Sequence, residues 1–419
     1  MRFCFVADNR DRENWGCRAT SIALKNAVAE QHEIVSSIYG QMTFNYNRPL
    51  YEGQHPRLSF SEQIWRSIPY VRRFKRAENA DFISDDVEKS LSSFLAVFKK
   101  YDPLNEIYEK ISNCDGVVLN GEGSFIYTTP YRYDLAFYLF ILALAQHLGK
   151  KTYLLNAMFS PAPDGGENSW MLSQSTKILS RCDVVAARDP LSFAFCRKNI
   201  CSRVEYVPDA LFLWRKFEKF FDVCQHYPLA GIPFPEFDEF WQSFDFHKEY
   251  ICVSGGSLAA RDPENAVQGY IHLVTVLKKI FPNIIIVSTC AGDFFLERVA
   301  KATGSAYIPV QTNILFGLSI LGNAKILVSG RWHPSIMASL SGTPCVFMKG
   351  NSHKCLALQH MLKYTYPHEY SAVPSPSEVG DIAREVEQLL LKEPKERHRI
   401  RDVSIDLSRE ISLAIKRIV

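Results

Sequence analysis

The sequence predicts an α/β protein of two parallel sheets, and three observations lead there. Apolar runs short enough for buried strands alternate with stretches of helical periodicity through both halves of the chain. The alternation stops near the middle, in a stretch rich in proline and aromatic residues from Tyr227 to Phe246, and then resumes. Polar residues, glycines and arginines recur just after the strands, at the edge of an open parallel sheet where ligands bind. At 419 residues the chain exceeds one ordinary core. The expectation is therefore an amino-terminal domain over 1–226, a linker over 227–248 and a carboxyl-terminal domain over 249–419, facing each other across a cleft.

The elements follow in order. Residues 2–7 read as a strand and 18–31 as a helix, with Ile22, Leu24, Ala27 and Val28 at roughly helical spacing. Strands are expected at 116–119, 151–156, 184–187 and 204–207, with helices at 135–148, 170–180 and 191–198 between them. Residues 40–102 break the pattern and read as an insertion carrying Arg66, Arg72, Arg73, Lys75 and Arg76. That insertion is either a solvated excursion or a contact for an anionic or lipid-linked acceptor. Beyond the linker, strands are expected at 250–254, 284–289, 307–308, 326–329 and 345–348. Helices fall at 264–280, 294–303, 312–321 and 334–340. A last helix, from about residue 403, is expected to cross back to the first domain.

Composition narrows the class. Apolar residues at 47% and charged residues at 22% describe a globular protein. A formal charge of +3 is too small to argue for a nucleic-acid partner. The eleven cysteines are scattered, several inside apolar runs, with no C-x-x-C pair. They read as reduced core thiols of a cytoplasmic protein. The opening apolar run is followed at once by Asp8-Asn9-Arg10, unlike a secretory leader, and residues 135–145 are too short to span a bilayer. The expected location is cytoplasmic, at the inner membrane face if the acceptor is lipid-linked.

The chemistry is concentrated in Ser329-Gly330-Arg331-Trp332-His333-Pro334. This stretch sets a guanidinium and an imidazole at the end of a strand and the start of a helix. Arginine grips phosphate or carboxylate with a fixed fork, and histidine exchanges protons near neutral pH. Arg188-Asp189 repeats that placement after another strand, with an ordinary salt bridge as the alternative for Arg188. Asp209 either orients a cation or caps a turn. Gly121, Gly123 and Ser124 suggest either a turn that lets backbone approach a ligand or a tight turn with no ligand. Asn14 and Gly16, in the loop after the first strand, either cap a turn and the following helix or take part in binding. Ser254, Gly255 and Asp293 are further strand-end residues, and Lys354 is placed to meet a phosphate or to lie in solvent. No Walker loop or full G-x-G-x-x-G pattern occurs, which argues against ATP or NAD binding by those modes; no H-x-x-H, H-E-x-x-H or acidic metal pair occurs, so no metal is expected, and there is no G-x-S-x-G elbow.

The ordered set resembles the polysaccharide pyruvyl transferase family. The resemblance rests on Asn14 and Gly16; on Gly121, Gly123 and Ser124; on Arg188, Asp189 and Ser192; on Pro208 and Asp209; and on Ser329, Arg331, His333, Ala338, Gly342 and Pro344. Two departures stand out, Glu122 within the family's usual triple glycine and Trp332 where leucine is common. The resemblance implies two Rossmann-like domains in a glycosyltransferase-B-like arrangement, without a metal or cofactor. It implies transfer of pyruvyl from phosphoenolpyruvate to two hydroxyls of a cell-surface sugar or its precursor, forming a ketal and releasing phosphate. His333 is then the acid/base, and Arg188, Arg331, Lys354, Gly121, Gly123 and Ser124 hold the donor. Asn14, Gly16, Asp209, Ser254, Gly255 and Asp293 border the acceptor or cleft. Two other readings stay open: a metal-independent glycosyltransferase with a nucleotide-sugar donor, and a non-catalytic anion- or glycan-binding protein.

Overall fold

The computed structural model describes residues 1–40, 82–226 and 244–419. Two parallel sheets, each flanked by helices, form the α/β architecture that the sequence predicts. The first has the order β2-β1-β3-β4-β5-β6. Its strands are β1 (Arg2–Asp8), β2 (Glu33–Tyr39), β3 (Gly116–Tyr127), β4 (Lys151–Pro161), β5 (Val184–Ala187) and β6 (Glu205–Tyr206). The second has the order β11-β10-β7-β8-β9. It comprises β7 (Ile251–Gly256), β8 (Ile284–Val287), β9 (Ala306–Ile308), β10 (Leu327–Gly330) and β11 (Cys345–Phe347). Strand order reverses between β1 and β3 in one sheet and between β10 and β7 in the other. Ligands of open α/β sheets sit in the crevices at such reversals, outside the carboxyl ends of the strands.

Local chemistry explains the helices that flank the reversals. Helix α1 (Trp15–Ala29) starts where the Asn14 side chain accepts a hydrogen bond from the Cys17 N–H, and it buries Ala19, Ala23, Leu24 and Val28. Helices α2 (Val87–Val97) and α3 (Asp102–Ser112) lead from β2 towards β3. Helix α4 (Tyr133–His147) is buried over every residue from Asp134 to Ala145, as suits a helix apolar on all sides. Helices α5 (Ser169–Leu179) and α6 (Pro190–Asn199) complete the first half, followed by a 3₁₀ segment, Ala210–Phe220. The second half carries α7 (Pro263–Ile280), α8 (Phe295–Thr303), α9 (Ile314–Asn323), α10 (Trp332–Leu340), α11 (Lys354–Met361) and α12 (Pro376–Ile418).

Several expectations change. Residues 82–102 are not a solvated excursion: Phe82 and Phe94 are buried, and both rings pack 5.0 Å from Phe140. Arg66, Arg72, Arg73, Lys75 and Arg76 lie outside the described residues, as do positions 227–243 of the expected linker. Phe244 and Phe246, at the end of that linker, pack edge-on against Tyr250. The glycine-bearing stretch 120–124 is not a turn. Strand β3 continues through it, paired with β4 as far as Tyr127, with a register break between Glu122 and Phe125. The last helix is longer than expected, beginning at Pro376 rather than near 403.

The halves share a core. Trp15 N–H donates to Thr289 O at 2.9 Å, and its ring N–H donates to Val310 O at 2.7 Å. Asn14 forms an antiparallel bridge with Cys290. One apolar cluster runs from Phe3 and Trp15 through Leu211 and Ile320 to Leu340 and Ile411. Helix α12 ties both sheets: Ile382 and Val386 belong to the second sheet's core, while Ile400 to Ile415 join the shared cluster. Its end reaches the first sheet, where Arg417 pairs with Glu205 and Val419 O accepts from His32 Nε2 at 2.7 Å.

Candidate active site

A cleft of about 200 Å³ opens where the two reversal points meet. Asn9 and Glu122, past β1 and within β3, line one wall, and Ser257 and Arg331, just past β7 and β10, line the other.

Of the five cationic side chains that line this cleft, Arg188, Arg331 and Lys354 come from both halves. Arg188 follows β5, where its N–H donates to Ala157 O at 2.9 Å. Its side chain is 2% exposed, with Nη1 3.2 Å from Asp209 Oδ2, and its guanidinium lies 4.8 Å over the Trp332 ring. Arg331 follows β10 at the amino end of α10, and its Nε and Nη2 donate to Asp293 Oδ1 at 3.1 and 2.6 Å. Burial works against the Arg331 charge, but Asp293 outweighs it and holds the guanidinium pKa above its ordinary value. Lys354, at the start of α11, donates to Asn351 Oδ1 at 2.7 Å. Burial, reinforced by Arg331 and Arg188, pushes the Lys354 ammonium down to about 8.

His333 sits between opposite charges. Its Nε2 is 3.4 Å from Arg188 Nη1 and 3.6 Å from Asp209 Oδ2. Unprotonated, that nitrogen accepts from the guanidinium; protonated, it faces the carboxylate. One atom therefore has a partner in either state, which is what a proton-exchanging group needs. Gly16 makes the placement possible, because a Cβ there would overlap the Cβ and ring of His333.

Two buried carboxylates hold the cations from behind. Asp209 also accepts from Trp332 Nε1 at 2.8 Å and from the Leu211 N–H at 2.9 Å. Burial would raise its pKa, yet His333 and Arg188 hold it down at about 2. Asp293 accepts the Thr289 N–H at 3.0 Å, and a Cβ at Gly255 would overlap its Oδ1. The far end of the cleft is different. There Glu122 Oε1 accepts from Asn9 Nδ2 at 2.6 Å and Asn120 Nδ2 at 3.1 Å. Arg132 forks onto Asp134 with bonds of 3.1 and 2.9 Å, and Arg12 lines the same end.

The model of one family, polysaccharide pyruvyl transferase, matches residues 62–352. The chain belongs to the polysaccharide pyruvyl transferase family. Solved structures show how its fold relates to others. A UDP-GlcNAc 2-epimerase from Neisseria meningitidis is 11% identical, with a TM-score of 0.55 over 100% of this chain and 98% of that one. A trehalose-6-phosphate synthase is 10% identical, with a TM-score of 0.54 over 100% and 99%. A UDP-GlcNAc 2-epimerase from Methanocaldococcus jannaschii is 11% identical, at 0.51 over 92% of each chain. At these identities the likeness speaks for the fold alone, the glycosyltransferase-B-like arrangement. No curated protein matches.

In this member of the pyruvyl transferase family, His333, Arg188, Arg331, Lys354, Gly123, Ser124 and Asn14 all line the cleft. Gly16, Asp209, Ser254, Gly255 and Asp293, expected at its border, stand behind it: the two carboxylates are fully buried and Ser254 is enclosed in β7. Gly121 also lies off the cleft, packed on Ala157. The ordinary salt bridge weighed for Arg188 is present, with Asp209, and coexists with its place in the cleft wall. Asn9, Arg12, Arg132 and Asp134 were not singled out in the sequence. For Asn9 and Arg12 the strand-edge argument that found Arg188 applies equally, since they follow β1 at the reversal; Arg132 and Asp134 carry no such signal. Among the described residues no group of three His, Cys, Asp or Glu side chains is placed to hold a metal ion.

Proposed function

We propose that the cleft binds phosphoenolpyruvate and transfers its pyruvyl group to two hydroxyls of a sugar. The observation that carries this reading is the convergence of Arg188, Arg331 and Lys354, drawn from both halves, around His333 in one small cleft. A donor bearing both a phosphate and a carboxylate matches separate cationic contacts held by buried counter-charges. At about 200 Å³ the cleft is smaller than the roughly 300–1,000 Å³ of sites for drug-sized ligands, as suits a donor no larger than phosphoenolpyruvate.

The reaction balances as follows. The C=C π bond opens as the enol CH₂ carbon gains one proton. The neighbouring carbon forms bonds to two acceptor oxygens and breaks its bond to the phosphate oxygen. Of the two hydroxyl protons released, one offsets the proton gained by carbon and the other leaves with phosphate. His333 supplies and collects protons, a contribution of about 10²–10⁴-fold for a positioned acid/base. Arg331, Arg188 and Lys354 hold the leaving phosphate and the carboxylate as charge redistributes.

A second reading keeps the scaffold but changes the donor to a nucleotide sugar. What favours it is that the Neisseria meningitidis epimerase of similar fold is bound to UDP-GlcNAc. One experiment separates the two. Phosphate release from phosphoenolpyruvate with galactose- or mannose-type acceptors supports pyruvyl transfer. Thermal stabilisation by UDP or GDP, with none by phosphoenolpyruvate, supports the second donor. Binding of a donor without turnover of either would mark a non-catalytic protein. We place the acceptor on a cell-surface polysaccharide or its precursor, and the protein in the cytoplasm or against the inner membrane face. Among the described residues no helix is long and apolar enough to cross a membrane.

A further inference from the structure

We propose that Trp332 is a positioning residue: its indole N–H occupies the Asp209 oxygen that His333 would otherwise bond, and its ring face carries the Arg188 guanidinium. His333 is thereby left to exchange protons, and Arg188 to meet the donor. The part played in turnover rests on the pyruvyl-transfer reading; the contacts themselves do not.

Trp332 opens α10 between Arg331 and His333. Arg331 turns to Asp293, within its own half. Trp332 is buried and crosses to the other half, where its Nε1 donates to Asp209 Oδ2 at 2.8 Å. The same oxygen lies 3.2 Å from Arg188 Nη1 and 3.6 Å from His333 Nε2. An ionised carboxylate offers about two acceptor sites on each oxygen. The indole and the guanidinium fill both on Oδ2, and Oδ1 accepts from the Leu211 N–H at 2.9 Å. At 3.6 Å the imidazole is too far for a hydrogen bond, although it feels the carboxylate's charge.

The ring has a separate effect. The Arg188 guanidinium lies 4.8 Å over it, a contact that steadies a cation without consuming its N–H groups. Arg188 Nε has no hydrogen-bond partner among the described residues, and Nη2 donates to the Met158 sulfur at 3.8 Å. The indole therefore fixes the guanidinium while those donors remain for a ligand. Removing the indole N–H would open one site on Asp209 Oδ2, and the His333 Nε2–H could close onto it. A carboxylate bonded that way favours imidazolium, so the base form that collects a hydroxyl proton would appear only at higher pH. The other ionisable groups of the cleft near His333 are Arg188 after β5, Arg331 before α10, Lys354 in α11, Cys17 in α1 and Glu122 in β3. Substituting Trp332 leaves all of them in the chain.

Two substitutions separate these effects. Trp332→Phe keeps a ring beside Arg188 and lacks the N–H; Trp332→Leu lacks both. Phosphate release is followed from about pH 5 to 9, with calorimetric titration of phosphoenolpyruvate and thermal unfolding on each protein. In both variants the acid-side limb of the kcat profile should move up by about one pH unit. Donor affinity should stay within about threefold in the phenylalanine variant and fall about tenfold in the leucine variant. An unmoved limb in both folded variants overturns the inference, because a packing role alone would lower kcat at every pH alike. Equal donor affinity in the two variants overturns the ring's part in it. A measurement on the intact indole serves if neither variant folds or if phosphoenolpyruvate is not turned over. With ¹⁵N-labelled tryptophan, one of the six indole N–H signals should shift between about pH 5 and 8, and His333→Ala should abolish that shift. The lack of any such signal overturns the proposal. Its presence in a protein that ignores phosphoenolpyruvate would refute the proposed donor and leave the coupling of Trp332 to His333 standing.

Discussion

His333 Nε2 has Arg188 on one side and Asp209 on the other, so small changes around it should alter proton transfer before they alter binding. His333→Ala is expected to abolish phosphate release while leaving phosphoenolpyruvate affinity within about tenfold, the loss expected of an acid/base rather than an anchor. Gly16→Ala should act on the same step, because the new methyl displaces the imidazole; steady-state kinetics should show kcat falling with KM little changed. Asp209→Ala strands a buried guanidinium, and urea unfolding should report a loss of about 3–5 kcal/mol. The Asp209 pKa near 2 lies below its ordinary 3.8, so its stabilisation is complete above the ordinary value and is lost as pH falls through 2. Lys354 moves the other way. With its pKa lowered to about 8, it is charged below that pH, and donor affinity measured by calorimetry should weaken as pH rises through it. Arg331 and His333 were legible in the sequence because a strand, a polar pair and a helix are contiguous there. Asn9, Glu122 and Arg132 meet only through folding, and single polar residues leave no local pattern.

Helix α12 shows which element signals are reliable. Its start is written in Ser375-Pro376-Ser377-Glu378, a capping box with proline in the first turn. Pro394 lies inside the helix, where a proline removes one backbone hydrogen bond, and tertiary contacts hold the helix across it: Arg397 on the next turn donates to Gly322 O and Ala324 O. Gly342 packs under that same turn with a φ of 86°, and a Cβ there would overlap Arg397 O. Gly342→Ala should therefore cost about 1–3 kcal/mol, read as a lowered midpoint in thermal unfolding with α12 loosened from the second sheet. Strand β2 escaped the sequence because it is an edge strand whose residues are mostly half-buried, including Ser36 and Ser37. The extension of β3 escaped for another reason. Gly121, Glu122 and Gly123 are poor strand formers, Glu122 takes a left-handed φ of 39°, and pairing with β4 on either side carries the strand past them.

At the scale of the molecule, the two sheets present their reversal points to one cleft, and the shared apolar cluster with α12 holds them there. Strand–helix alternation made the two-sheet architecture readable, since hydrophobic periodicity is a local property. How the sheets meet was not readable, because it depends on contacts such as Trp15 with Val310 O and Gly317, about 300 positions apart in the chain. The central claim is that one guanidinium from each half grips the same donor. Calorimetric titration of phosphoenolpyruvate into the wild type, Arg188→Gln and Arg331→Gln tests it most directly, with the fold of each variant checked by thermal unfolding. The account predicts binding to the wild type and a loss of about ten- to a hundredfold in each variant. No binding to the wild type, or wild-type affinity in both folded variants, would contradict it.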